Sequence, residues 1–260
     1  HRNSDGLGEG VVSLLFIIDA LYDSKPGDVI AIDEPELSLH PTLLRRLSKL
    51  FSEFAADRQI IIATHSPYFA DLRSLADGAR LARVYRKNYE SKISALSSAS
   101  AEKIRGFFRN VNNPHVLGLD AREVFFLNDK VILTEGQEDV IFYDRFAFEL
   151  ELQISGDFFG WGVGGATNMS AIAGILSDLG FTRVVGILDG DKADLIRGLE
   201  TDFPTYSFHV IPEDDVRTKP ARRATEKVDG LAGADGKLQG KHRKCISELY
   251  QVIAEYMNQG

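Results

Sequence analysis

Acidic side chains gather after three short apolar runs in the second half of this 260-residue sequence. Glu135 follows Val131–Thr134, with Gly136 next and Asp139 four residues on. Asp189 and Asp191 flank Gly190 after Val184–Leu188, and Glu213, Asp214 and Asp215 follow Tyr206–Ile211. Residues four apart lie on one side of a helix, and alternate residues share one face of a strand. The pairs Glu135/Asp139 and Asp189/Asp191 are therefore each expected to aim two carboxylates the same way. One carboxylate after a strand is commonly a helix cap. Three such groups at one sheet edge carry too much negative charge to be stable unless cations fill the site. All-oxygen ligands suit Mg²⁺ or Mn²⁺ rather than zinc. Two such ions about 4 Å apart stabilise the attacking and leaving oxygens of phosphoryl transfer.

A second constellation lies in the first half. Asp28–Asp33 is an apolar strand ending in the pair Asp33-Glu34. There the first carboxylate can hold Mg²⁺ and the second can orient a water. Gln59–Thr64 is another apolar strand, followed by His65, which is placed to sense a γ-phosphate. Upstream, Ser4-Asp5-Gly6-Leu7-Gly8 precedes a helix, and backbone N–H groups at a helix start suit an anion. His40, His65, His115, His209 and His242 show no zinc spacing with Cys245.

Alternating strand-like and helix-like segments must position these groups, which argues an α/β fold. Helices are expected over Val11–Tyr22, ended by Lys25-Pro26-Gly27, and over Pro41–Ala56, with apolar residues at helical spacing. The pattern weakens from Leu81 to about Phe126, with a turn at Asn112-Asn113-Pro114, and a domain boundary is expected there. A second alternation follows. It places strands at Val131–Thr134, Phe158–Val163, Arg183–Leu188 and Tyr206–Ile211. Helices are expected at Glu138–Leu150, Asn168–Leu179 and Ala193–Glu200, and Lys241–Met257 reads as an amphipathic closing helix. The four strands make a mostly parallel sheet flanked by helices, and such sheets place their chemistry at the strands' carboxyl ends. Trp161, Phe158-Phe159, Phe107-Phe108, Phe125-Phe126 and Phe146-x-Phe148 read as core.

Composition fits a globular chain: 44% apolar and 26% charged. The lone Cys245 excludes an internal disulfide and points to a reducing, cytoplasmic setting. No apolar run reaches the roughly 18–20 residues of a membrane span. Net charge is −8 overall, but −12 over residues 1–215 and +4 over residues 216–260. The acidic body argues against nonspecific coating of nucleic acid, whereas the basic tail beside an acidic pocket can hold phosphates.

Taken together, Ser4–Gly10, Val29–Glu36, Leu37–Pro41 and Ala63–Pro67 resemble the signature loop, Walker B strand with catalytic glutamate, D-loop and switch-histidine loop of an ABC-type ATPase head. The likeness covers about residues 1–88 and implies that Ser4, Gly6, Asp33, Glu34 and His65 serve ATP with Mg²⁺ in the intact protein. Val131–Asp139 and Ile187–Asp191 resemble the E-G-x-x-D and D-x-D elements of a TOPRIM domain, expected over 130–212. A connecting segment (89–129) and a basic helical extension (213–260) complete the layout. No G-x-x-x-x-G-K-[ST] loop occurs in the sequence. The chain opens at His1 directly on the glycine-rich motif, which suggests a fragment lacking the Walker A front.

ABC-type ATPase followed by TOPRIM is similar to the arrangement of the OLD (overcoming lysogenization defect) family, which includes Gabija-type and retron-associated phage-defence effectors. The resemblance implies a metal-dependent DNA endonuclease regulated by an ATPase, with Glu135, Asp139, Asp189 and Asp191 as ligands of two Mg²⁺ or Mn²⁺ ions. It adds a further acidic ligand, Asp215 or Glu213, and a catalytic lysine, Lys241 or else Lys237. Implied partners are DNA, a second copy through the ATPase head and a defence-system protein, with no membrane. An ATP-driven DNA-clamping or nucleotide-sensing module without cleavage is the competing reading. Lacking a phosphate-cradling loop, the 260-residue chain alone is expected not to hydrolyse ATP. Steady turnover by the purified chain, lost on Glu34→Gln, would contradict that.

Overall fold

The computed structural model describes residues 8–109, 119–126, 129–220 and 227–259, apart from the side chains of Arg73, Phe108, Arg109, Leu119 and Asp120. Ser4 and Gly6, the Asn112-Asn113-Pro114 turn and His115 lie outside the described residues. The chain divides into two units, His1–Asp77 and Gly78–Gly260.

The first unit runs α1 (Glu9–Asp23), β1 (Val29–Asp33), α2 (Pro41–Phe54), β2 (Gln59–Ala63) and α3 (Leu72–Ala76). β1 and β2 pair in parallel, from Val29 opposite Gln59 to Asp33 opposite Ala63. Strand alternation sends Ile30, Ile32, Ile60 and Ile62 to one face, where they pack with Leu21 of α1 and Leu47 and Phe51 of α2. Pro41 suits the first helical position of α2. His40 caps it, its Nδ1 accepting from the Thr42 N–H at 3.2 Å. The register brings the carboxyl ends of both strands level, so Glu34 and His65 emerge side by side.

The second unit opens with an antiparallel hairpin, β3 (Ala82–Lys87) and β4 (Glu90–Ala95). Asn88 and Tyr89 turn it, both at positive φ (51° and 65°), as the favoured two-residue hairpin turn requires. Arg83 of β3 stacks on Phe181 at 4.0 Å and pairs with Asp129. The hairpin thus belongs to the second unit, and the chain divides before residue 88. Residues 89–129 do not form a plain connector. They include β4, then α4 (Ser98–Arg109) and α5 (Leu119–Glu123), which leads into a short 3₁₀ turn at Val124–Phe126.

The remaining strands, β5 (Lys130–Leu133), β6 (Asp157–Phe158), β7 (Arg183–Leu188) and β8 (Ser207–Val210), form one parallel sheet in the order β6-β5-β7-β8. Helices α6 (Gln137–Glu149), α7 (Met169–Asp178), α8 (Ala193–Asp202) and α9 (Arg243–Met257) accompany it. α4 packs on α7, and the chain just before α4 is tied by the Ser97 N–H to Asp178 at 3.1 Å. β5 and β7 are almost wholly buried, as central parallel strands covered on both faces must be. Ile132, Val185 and Ile187 pack with Phe142, Tyr143 and Phe146 of α6 and with Ile246, Tyr250 and Ile253 of α9. The Tyr250 hydroxyl donates to the Tyr143 carbonyl at 2.7 Å, locking α9 to α6. On the opposite face, Met169 and Phe208 close over Gly186.

The second unit differs from expectation in its second strand, in two aromatic residues and at the start of its closing helix. β6 is two residues long rather than Phe158–Val163, because Gly160, Gly162, Gly164 and Gly165 all take positive φ, which ends extended structure. Phe148 is 85% exposed and Trp161 45% exposed, so neither is core. Two helical positions from the buried Phe146, Phe148 is turned about 200° away from it. The closing helix begins with a 3₁₀ turn at Gly240–His242, ahead of α9. Among the described residues no helix is long and apolar enough to cross a membrane.

Phe146 is fully buried between α6 and the sheet. Phe146→Ala is expected to cost about 3–5 kcal/mol. Denaturant unfolding followed by fluorescence of Trp161, the sole tryptophan, measures this in the second unit.

Candidate functional site

β5 and β7 are neighbours in the sheet, so their carboxyl ends deliver Glu135 and Asp189 to one place. A hydrogen bond fixes that meeting: the Asp189 backbone N–H donates to Glu135 Oε1 at 3.0 Å. Thr134 before it is 1% exposed, and its hydroxyl makes no hydrogen bond. Gly136 starts α6. Its N–H donates to Asp139 Oδ2 at 2.8 Å, the return half of a capping arrangement. Gly162 lies over this turn at φ 87°, and a Cβ there would sit 2.7 Å from the Gly136 backbone. Glycine is therefore required where the 159–165 loop crosses the start of α6.

Asp139 is 7% exposed. Burial, with the charges of Glu135 and Asp215 added, raises its pKa from 3.8 to about 6 despite the Gly136 hydrogen bond. Burial also raises Asp189, to about 8, helped by the charges of Asp139, Glu135, Asp215 and Asp191. Glu135, Asp139, Asp189 and Asp215 thus stand within one another's field, as the sequence led one to expect. Tyr143, fully buried beneath them, is held neutral, its pKa raised well above the ordinary phenol value by burial and the same carboxylates. Among the described residues no three His, Cys, Asp or Glu side chains already converge on one point as metal ligands. Glu135 accepts instead from the Asp189 N–H, Asp139 from the Gly136 N–H and Asp215 from the Arg217 N–H. In chemistry the donor set fits a hard divalent cation: all oxygen, partly buried and short of positive charge.

The other expected residues are dispersed. Asp191 does not share a face with Asp189. β7 ends at Leu188, and Gly190–Lys192 form a 3₁₀ turn, so strand alternation no longer applies. Asp191 is exposed and pairs with Lys192. Glu213 is drawn the other way. Lys241 Nζ bonds its Oε1 at 2.7 Å, and His242 Nε2 lies 2.8 Å from the same oxygen without hydrogen-bond alignment. Lys241 is thereby held on Glu213, its pKa raised by that hydrogen bond. Lys237 is exposed in the turn closed by Gly233 N–H on the Lys237 carbonyl.

Two cations beside the cluster are ones that sequence reading passed over. Lys219 pairs with Asp215 and reaches Glu138 Oε2 at 3.5 Å, and Arg217 Nη2 bonds Glu138 Oε1 at 2.7 Å. Burial works against the Lys219 ammonium, but Asp215 and Glu138 more than offset it and raise its pKa. The four-residue spacing of Asp215 and Lys219 was the available signal. Glu138 was invisible because its partners lie 79 residues or more away in sequence.

In the first unit, Glu34 follows β1 at φ 45°, an uncommon conformation outside glycine. His65 Nε2 lies 3.7 Å from Glu34 Oε1. Glu36 staples the loop after β2, accepting from Thr64 Oγ1 at 2.7 Å and from the His65 N–H at 2.6 Å. Asp33 is exposed at the strand end. The carboxylate, histidine and strand-end loop are thus assembled, with Glu36 as the missed organising residue.

An acidic pair and a histidine at adjacent strand ends in one unit, and carboxylates at a parallel sheet edge in the other, define an α/β protein with an ATPase-like half. Residues 2–71 match the family model described as "AAA domain, putative AbiEii toxin, Type IV TA system". The OLD nuclease of Thermus scotoductus is 34% identical over 144 residues, covering 52% of this chain and 26% of that protein. Endonuclease GajA of Bacillus cereus is 28% identical over 159 residues, covering 60% and 25% respectively. The Old nuclease of Escherichia phage P2 is 26% identical over 121 residues, covering 44% and 19%. The chain is similar to these OLD-type nucleases and spans about a quarter or less of their length.

The raised carboxyls set a pH signature for the metal-free chain. A carboxyl whose folded pKa lies above its unfolded value stabilises the fold at low pH and loses that contribution as pH rises. For Asp189 the window runs from 3.8 to about 8, and for Asp139 from 3.8 to about 6. Thermal melts in EDTA are expected to show stability from these groups falling across pH 4–8, with Asp189→Asn flattening the slope. An unchanged slope in that variant would contradict the assignment.

Proposed function

We propose that the chain carries the nuclease site of a metal-dependent DNA endonuclease coupled to an ABC-type ATPase, with a TOPRIM domain over about residues 130–212. The observation that carries this reading is the hydrogen bond joining Glu135 and Asp189 at the ends of β5 and β7, with Asp139 and Asp215 near enough for their charges to act on Asp189. That much buried negative charge suits divalent cations. The nuclease names of the curated relatives support the same reading.

Glu135 and Asp189 are the ligands assigned to one ion, and Asp139 and Asp215 to a second. Glu213 is the alternative ligand to Asp215. Bound Mg²⁺ or Mn²⁺ supplies the charge that stabilises the attacking and leaving oxygens of an in-line phosphodiester displacement. Lys241 leaves Glu213 to face the developing charge on phosphate. Neither Tyr143 nor Tyr206 serves as a covalent nucleophile. Tyr143 is fully buried, and the buried Tyr206 hydroxyl donates to the Phe181 carbonyl at 3.0 Å. In the intact protein Asp33, Glu34 and His65 serve ATP with Mg²⁺, two copies pair through the ATPase part, and the role is antiphage defence with a partner protein.

Supercoiled plasmid is expected to be nicked or cut by the chain with Mg²⁺ or Mn²⁺ and left intact in EDTA. Asp189→Ala should reduce cleavage by more than the roughly 10–100-fold that loss of a metal site's outer-shell partner costs. Full cleavage by that variant would overturn the assignment. DNA binding with no cleavage under any metal would favour a clamping module instead.

A further inference from the structure

Arg217 and Lys219 stand two residues apart on an extended stretch. Isolated bridges pair Arg217 with Ala232 and Lys219 with Val228, and the Lys219 and Val228 backbones exchange hydrogen bonds at 2.9 and 3.0 Å. The intervening Thr218 points away, its Oγ1 accepting from the Gly230 N–H at 3.2 Å. Alternate residues of an extended chain share one face, so Arg217 and Lys219 both reach Glu138 on the first turn of α6. The backbone behind them is closely packed: a Cβ on Gly230 would lie 2.2 Å from the Arg217 carbonyl carbon. The two cations are therefore presented by a fixed support beside the acidic cluster.

Neither cation is used to capacity. Arg217 holds Glu138 through Nη2 alone, while its Nε is buried and makes no hydrogen bond. Nε and Nη2 lie on one edge of the guanidinium, which suits two oxygens of a phosphate or carboxylate side by side. Lys219 is divided between Asp215 and Glu138. Asp215 is also an assigned metal ligand, and a carboxylate committed to a cation holds Lys219 less tightly.

We propose that Arg217 and Lys219 form a clamp for a DNA backbone phosphate next to the cleavage site, and that Glu138 occupies this clamp when DNA is absent. The proposal rests on the nuclease reading above. Glu138 acts as a stand-in anion: its carboxylate holds the two cations in place, and a phosphodiester with two free oxygens displaces it. The phosphate gains the unused Nε of Arg217, a contact that Glu138 does not make.

Binding of a fluorescent duplex by the whole chain, with Ca²⁺ replacing Mg²⁺, tests this through affinity rather than activity. Arg217→Gln and Lys219→Gln are each expected to weaken binding about tenfold. Each should also lower the salt dependence of log Kd by roughly one phosphate contact. Lys219→Arg, which keeps the charge, should bind nearly as wild type and guards against a folding defect. Glu138→Gln should bind more tightly than wild type, because the competing charge is gone. Lys227→Gln, which removes an exposed cation paired with Asp229, should change little. Unaltered affinity and salt slope in both glutamine variants would overturn the clamp while leaving the nuclease reading standing. Absence of DNA binding by the wild-type chain would remove both.

Discussion

Like charges held close in a partly buried place are the constraint on which the second unit turns. Glu135 and Asp189 meet because β5 and β7 are adjacent and parallel, and Asp139 joins them from the first turn of the helix that follows β5. Nothing in the apolar core beneath can relieve that repulsion. The metal-free chain meets it in two ways. It favours protons on Asp139 and Asp189, and it turns the surrounding carboxylates onto lysine and arginine. Lys192, Lys219 and Lys241 each take an acidic residue at the rim. On the reading proposed above, divalent cations would balance this charge more effectively.

The core serves this arrangement. α6 is anchored on one side by Phe146 and Tyr143 against the sheet, and its start is pinned by Gly162 crossing the Gly136 turn. The segment after β8 returns over the sheet edge, where the Gly190 N–H donates to the Glu213 carbonyl at 2.8 Å. This contact brings Glu213–Lys219 beside the Asp189 loop. α9 is locked onto α6 through Tyr250. The rim cations are thus delivered by tertiary structure rather than by the strands that deliver the carboxylates.

Much of this was legible in the sequence because strand ends are local features. Apolar runs ending in acidic residues marked β1, β5 and β7, and Glu34, Glu135 and Asp189 do lie just beyond those strands. Legibility failed where local periodicity stopped. Asp191 was paired with Asp189 by strand alternation, yet the strand ends one residue before Asp189. The β3–β4 hairpin was missed because an Asn-Tyr turn lacks the glycine that marks such turns. Phe148 read as core from its type, although its helical phase opposes that of Phe146. Arg217 and Lys219 were overlooked because their meaning depends on Glu138, a residue far away in sequence.

The central claim is that these carboxylates form a divalent-cation site. Electron paramagnetic resonance of Mn²⁺ titrated into the whole chain at about pH 8 reads that directly. Loss of the free-ion signal at stoichiometric protein, weakened by Asp189→Asn and competed by Mg²⁺, is the expected result. A free-ion signal undiminished by the wild-type chain, or equally diminished by the variant, would contradict it.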